Sequence, residues 1–101
     1  MAAVPFDVSS GSDTQDSTGI TLASGESARV RFTTYSGGAD TYFGITRNSV
    51  TTYSPICVGD IDGADTRTEK YSTAYPGDTV FLRVKLNGAG SAVAGILESL
   101  A

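Results

Sequence analysis

The chain of 101 residues is one domain's worth, a length that buries roughly 60–70% of its unfolded surface and closes a modest core without disulfides or metal. Seven cations against eleven acids leave a net charge of −4, which argues against a nucleic-acid partner, since neutralising phosphates takes clustered Lys and Arg. There is no histidine, so the commonest general base and most transition-metal ligands are missing.

By count 25 residues are Ser or Thr and 12 are Gly, a bias toward strands and turns over helices. The expected class is all-β. The start, "MAAVPFDVSS", has neither a basic n-region nor an apolar h-region, so a complete product made in the cytosol is expected rather than an exported one. No apolar run approaches the ~18 residues of a membrane span. Cys57 is the single cysteine; no internal disulfide can form, and in "SPICVG" it reads as a small buried hydrophobe.

In chain order, "VPFDV" (4–8) predicts a short edge strand, the one place Pro5 is tolerated. "SSGSDTQDSTG" (9–19) is small, polar and acidic and predicts a flexible segment. Residues 1–19 are thus an extended acidic arm ahead of a domain over 20–101. "ITLAS" begins a strand that turns at Gly25. "SARVRFTTY" (27–35) alternates, with Ala28, Val30 and Phe32 on the face opposite Arg29, Arg31 and Thr33. "SGGAD" is a turn, and "TYFGITR" (41–47) puts Phe43 and Ile45 opposite Tyr42 before Asn48 breaks it. "SVTTYSPICV" (49–58) is a strand in which Pro55 demands a bulge or an edge. After the turn-rich "GDIDGAD", the polar alternation of "TRTEKYSTAY" (66–75) predicts an exposed strand. "TVFLRVKLN" (79–87) is the clearest strand, with Val80, Leu82, Val84 and Leu86 facing in and Phe81, Arg83 and Lys85 facing out. In "SAVAGILESLA" (91–101), Val93, Ile96, Leu97 and Leu100 have helical spacing, but central Gly95 and a weak N-cap favour a strand. Seven or eight short strands about ten residues apart predict an antiparallel β-sandwich or jelly roll. One motif occurs twice ahead of a strand: Gly25-Glu26-Ser27 and Gly77-Asp78-Thr79.

Asp60, Asp62 and Asp65, with Glu69 downstream, offer the oxygen ligands and Gly-bearing turn of a calcium loop. Set on an EF-type loop, Gly63 takes the sixth position and Glu69 the twelfth, but Val58 falls on the first, which needs a carboxylate. An Asp-Gly turn between strands accounts for the same residues. No Gly-x-Ser-x-Gly elbow is present, and no enzyme is expected. Tyr35, Tyr42, Tyr53, Tyr71 and Tyr75 supply rings on which a saccharide could stack, although Tyr is equally ordinary in strands. Phe81, outward beside Arg83, suits an interface; cover by a loop or the arm explains it as well.

The runs "ITLASGESARVRF", "GGADTYFGIT" and "YPGDTVFLRV" resemble bacterial pre-peptidase C-terminal-type β-sandwich domains over roughly residues 22–84. Only Asp40 stands where that family carries a pair of acids, with Gly38 and Ala39 before it. In character the chain also resembles the small jelly-roll capsid decoration (cement) proteins of tailed bacteriophages: short, acidic, rich in Ser, Thr and Gly, and free of disulfides. That resemblance implies a non-enzymatic structural protein of the virion. It would form a homo-oligomer, with a trimer favoured, and clamp the major capsid protein or other coat subunits. Phe81 and Arg83 are then the interface, with the arm acids Asp7, Asp13 and Asp16 against a neighbour, and neither nucleic acid nor membrane is a partner. The rival expectation is a monomeric cell-surface or secreted saccharide-binding module, calcium-dependent through the Asp60–Asp65 turn; no other cofactor is expected.

Overall fold

Side chains of a strand alternate between its two faces, so the apolar set of each long strand chooses the face turned inward. A computed structural model describes residues 2–11, 13–58 and 69–101. Among them are nine strands: β1 (Ala3–Val8), β2 (Gln15–Asp16), β3 (Ile20–Thr21), β4 (Ser27–Ser36), β5 (Ala39–Arg47), β6 (Val50–Cys57), β7 (Glu69–Tyr71), β8 (Thr79–Leu86) and β9 (Ala92–Leu100). The first sheet runs β1-β9-β4-β7 and the second β2-β8-β5-β6, with β3 also on β8. All pairings are antiparallel. The protein is an all-β sandwich. With β3 set aside, β1 pairs with β9, β2 with β8, β4 with β7 and β5 with β6. The chain is thus a long ribbon of nested pairs.

The core forms where the expected alternations meet. Ala28, Val30 and Phe32 of β4 and Val80, Leu82, Val84 and Leu86 of β8 are buried, as are Phe43 and Ile45 of β5. Tyr35 is buried too, although an odd number of residues from Phe32. The β4–β9 register shifts between Phe32 and Thr34, and the extra residue, Thr33, turns Tyr35 inward. Phe6, Phe32 and Tyr35 then meet edge-on, with ring centroids 6.1 and 5.2 Å apart. The Tyr35 hydroxyl donates to the Ala39 carbonyl at 3.0 Å and lies 3.1 Å from the Thr41 hydroxyl. Among the described residues no buried side-chain polar atom lacks a partner. The ambiguous last segment is a strand, the inner neighbour of both β1 and β4, with Val93, Gly95, Leu97 and Ser99 buried and the residues between them half-exposed.

The arm lies along its own sandwich. β1 pairs with β9 over six residues and buries Phe6 and Val8. The chain then crosses to the second sheet, where Gln15 and Asp16 pair with Val84 and Arg83. Ser17 bridges the break before β3: its N–H donates to the Leu82 carbonyl at 2.8 Å, and the Leu82 N–H donates to its hydroxyl at 2.9 Å. Deleting residues 1–18 would therefore strip two strands and two core side chains, a test of folding and not of attachment.

Pro55 has both consequences expected of it. β6 is the end strand of the second sheet, and the register shifts where Pro55 and Cys57 face Tyr42 and Thr41. Cys57 is half-buried and packs against the core. Asn48 and Ser49, with φ of 51° and 65°, form the two-residue type I′ hairpin between β5 and β6.

The repeated motif is one turn used twice. In each, a glycine with positive φ (Gly25 at 80°, Gly77 at 96°) precedes an acid. The acid's N–H donates back three residues: Glu26 to the Ala23 carbonyl and Asp78 to the Tyr75 carbonyl, both at 3.0 Å. Its carboxylate accepts the N–H of that same residue, Ala23 at 2.7 Å and Tyr75 at 2.9 Å. Gly at the third position satisfies a type II turn, and Pro76 presets the second copy. The two turns are neighbours, since Leu22 donates to the Asp78 carbonyl at 2.9 Å and accepts from Gly77 at 2.8 Å.

Candidate binding face

The outer face of the second sheet collects most of the chemistry predicted for the surface. Strand pairing lays it out in rungs. Thr79 and Thr46 share one, flanked by Thr21 and Thr51, with hydroxyls 3.0 Å apart for Thr21–Thr79 and 2.8 Å for Thr46–Thr51. The next rung is Phe81, Gly44 and Tyr53, and the next Asp16, Arg83, Tyr42 and Pro55. Lys85 and Asp40 face each other beyond it.

Phe81 points outward, as its strand's alternation requires, but it is half-buried because its ring covers Gly44. A Cβ there would collide with that ring, so glycine makes the seat for the aromatic. Tyr53 meets Phe81 edge-on at 6.1 Å. The Arg83 guanidinium carbon lies 4.3 Å from the Tyr53 ring centroid, a cation–π distance. Asp16 grips the same guanidinium with both oxygens, at 2.8 Å to Nε and 2.9 Å to Nη2, which strengthens its hold on its proton. Between these groups lies a cleft of about 280 Å³ lined by Thr14, Asp40, Tyr42, Tyr53, Arg83 and Lys85. A larger hollow of about 570 Å³ is lined by Ser9, Ser10, Gly11 and Lys85 to Gly90, with no aromatic side chain.

The outer face of the first sheet is an ion-pair network. Glu98 accepts from Nε of both Arg29 and Arg31, at 2.7 and 2.8 Å, and Glu69 lies 3.1 Å from Arg29. The hydrogen bond from Arg29 holds the Glu98 carboxyl below the usual range, with Arg31 adding to it.

Of the residues singled out as an interface, Phe81, Arg83 and Asp16 come together here, and Asp16 engages its own Arg83. Asp7 is exposed on β1 at the edge of the first sheet, and Asp13 is exposed ahead of β2. Of the calcium candidates, Asp60, Asp62 and Asp65 lie outside the described residues, and Glu69 is on β7 facing Arg29. Among the described residues no group of three or more acids or cysteines is placed to hold a metal ion. Tyr35 is core, Tyr71 and Tyr75 are exposed elsewhere, and Tyr42 and Tyr53 line the cleft. In the sequence those two are no different from the other three tyrosines; a shared face follows only from the β5–β6 register.

The fold and this face define a small antiparallel β-sandwich with one outer surface built of aromatic rings and internally paired charges. No protein family, curated protein or solved structure matches the chain.

Proposed function

We propose that the protein is a non-enzymatic structural protein of the capsid-decoration kind, joining copies of itself and neighbouring coat subunits. The contrast among its sheet edges carries this reading. Exposed edges invite pairing with other chains, and proteins blunt them with short strands, charges and proline. β1 carries Pro5 and Asp7; β7 has three residues, two of them Glu69 and Lys70; β2 and β3 have two residues each. β6 has eight, and no charge occurs from Asn48 to Val58. Its neighbourhood holds three of the large apolar residues most open to water: Val50 at 63%, Tyr53 at 44% and Val58 at 46%. Among the described residues no strand lies on the outer side of β6.

A second copy fits that edge. Antiparallel pairing about a two-fold axis sets the uncharged segment against itself, so the net charge of −4 brings no like charges directly opposite. Pro55 has no N–H to donate, which confines pairing to Val50–Ser54. The unit is then a two-fold dimer in place of the trimer favoured from sequence. The nested ribbon of strand pairs supports reading the sandwich as a jelly roll, an architecture of viral capsid and lectin domains, though such a likeness bears on fold and not on role.

Light scattering of the untagged chain tests the reading. The expected result is a dimer at micromolar to millimolar concentration, converted to monomer by Thr52→Lys, which puts a charge on an exposed edge position; the variant stays folded and melts lower only by the stability that dimerisation adds. A monomer throughout, or a dimer indifferent to Thr52→Lys, overturns it.

A further inference from the structure

We propose that the cleft on the outer face of the second sheet binds a neutral saccharide. The cleft is formed by β5, β6 and β8 with Thr14 from the crossing segment; Tyr53 also falls within the β6 segment Val50–Ser54, but the cleft is complete within one copy, so the proposal stands without the dimer.

The charge pattern selects the ligand class. Two acids and two cations surround the cleft, and strand register sets them against each other: Asp16 opposite Arg83 and Asp40 opposite Lys85. The first pair is closed by two hydrogen bonds. An anion arriving here meets two carboxylates, and a cation meets a guanidinium and an ammonium. A neutral polyhydroxylated ligand meets neither penalty. It finds donors in Lys85, acceptor lone pairs on Asp40, whose Oδ1 also takes Asn87 Nδ2 at 3.0 Å, and hydroxyls that do both in Thr14, Tyr42 and Tyr53.

The aromatic side chains supply the second half of the recognition. A sugar ring carries a face of C–H groups that packs on an aromatic ring while its hydroxyls reach polar neighbours. Tyr53 keeps 44% of its surface exposed, yet its ring is held by the Arg83 guanidinium at 4.3 Å and the edge of Phe81 at 6.1 Å. Phe81 is in turn seated on Gly44. A ring already fixed has little rotamer freedom left to lose on binding. This also accounts for Phe81, whose role on this face is to position Tyr53. The cleft lies at the small end of ligand sites, which fits one or two sugar units and weak binding, with millimolar to high-micromolar dissociation constants.

The test is a titration of the full-length, ¹⁵N-labelled chain with neutral oligosaccharides of glucose (α- and β-linked), mannose, galactose, xylose and N-acetylglucosamine, with a heparin oligosaccharide as the charged comparison. At least one neutral sugar is expected to give saturable shifts centred on Tyr42, Tyr53, Arg83 and Lys85, and heparin none. Tyr53→Ala is expected to weaken binding about five- to tenfold in a chain that still folds, its melting temperature lowered only by the lost surface contacts to Phe81 and Arg83, and Lys85→Ala, exposed and outside the core, to weaken it without touching the ring. Silence across the whole neutral panel at millimolar concentration overturns the proposal. So do shifts that map elsewhere, binding of heparin alone, or affinity indifferent to both substitutions.

Discussion

Asp78→Asn is expected to lower the melting temperature by about 8–15 °C, more than any other change of a charged side chain among the described residues. The Asp78 carboxylate is 3% exposed and serves three donors. It takes Arg47 Nε at 2.8 Å and Nη2 at 2.6 Å, and the Tyr75 N–H at 2.9 Å. The Arg47 guanidinium carbon also lies 4.8 Å from the Tyr75 ring centroid, so one acid fixes the second turn, the end of β5 and an aromatic. Asn keeps one oxygen and puts an N–H₂ where a donor already points, leaving a buried site with clashing donors. Because Arg47 is half in water, screening weakens its attraction, and most of the loss comes from the buried acceptor.

The same contacts set a pH dependence. Hydrogen bonds from Arg47 and the Tyr75 N–H lower the Asp78 pKa from its ordinary 3.8 to about 2. A carboxyl depressed by folding contributes stability that is fully present above its unfolded value and is lost as pH falls through the folded one. The contribution of Asp78 should therefore hold down to about pH 4 and fade between there and about pH 2. Glu26 and Glu98 are shifted downward as well, by the Ala23 N–H and by Arg29 respectively, so the wild-type chain loses stability in acid at several places. Asp78→Asn isolates one of them: thermal melts of the two proteins should converge as pH drops from 4 to 2. Curves that stay parallel over that range would remove the ionised Asp78 from the account.

How much of this was legible in the sequence depends on the range of the interaction. β4 and β8 announce themselves because their apolar residues alternate for a full strand length. β2 and β3, at two residues each, are too short to show a period, and what holds Gln15 to Thr21 on β8 is a set of pairings and hydrogen bonds to residues 58 to 69 positions away. The twin Gly-acid-hydroxyl motifs were visible as a repeat, and the turn they share is local. Arg47 was not visible as the partner of Asp78, because it lies 31 residues upstream and arrives only through β5 pairing with β8. The last strand shows the opposite limit. Its apolar residues satisfy two periods at once, and tertiary pairing with β1 and β4 chooses between them.

Gly95→Ala should show how tightly that choice is enforced. It is expected to destabilise the fold by about 3 kcal/mol, for one added methyl group. Gly95 is buried in β9 opposite Phe6 on one side and Phe32 on the other, where β4 carries its register shift. A Cβ at Gly95 would run into the Arg31 carbonyl oxygen, with Phe32 Cα at 3.0 Å and the Arg31 carbonyl carbon at 3.1 Å. Every one of these atoms is backbone, so no rotamer change relieves the contact, and the two central strands of the first sheet would have to move apart. Gly44 provides the control. The atoms nearest its added Cβ all belong to the Phe81 ring, a half-buried side chain on the outer face whose rotamer can change, so Gly44→Ala should cost less and register mainly as a disturbed Tyr53. Chemical denaturation reads the difference directly, as a fall in midpoint for Gly95→Ala at unchanged slope. A Gly95→Ala protein within about 1 kcal/mol of wild type would mean that β4 and β9 do not approach as closely as described, and that the bulge at Thr33 has room to yield.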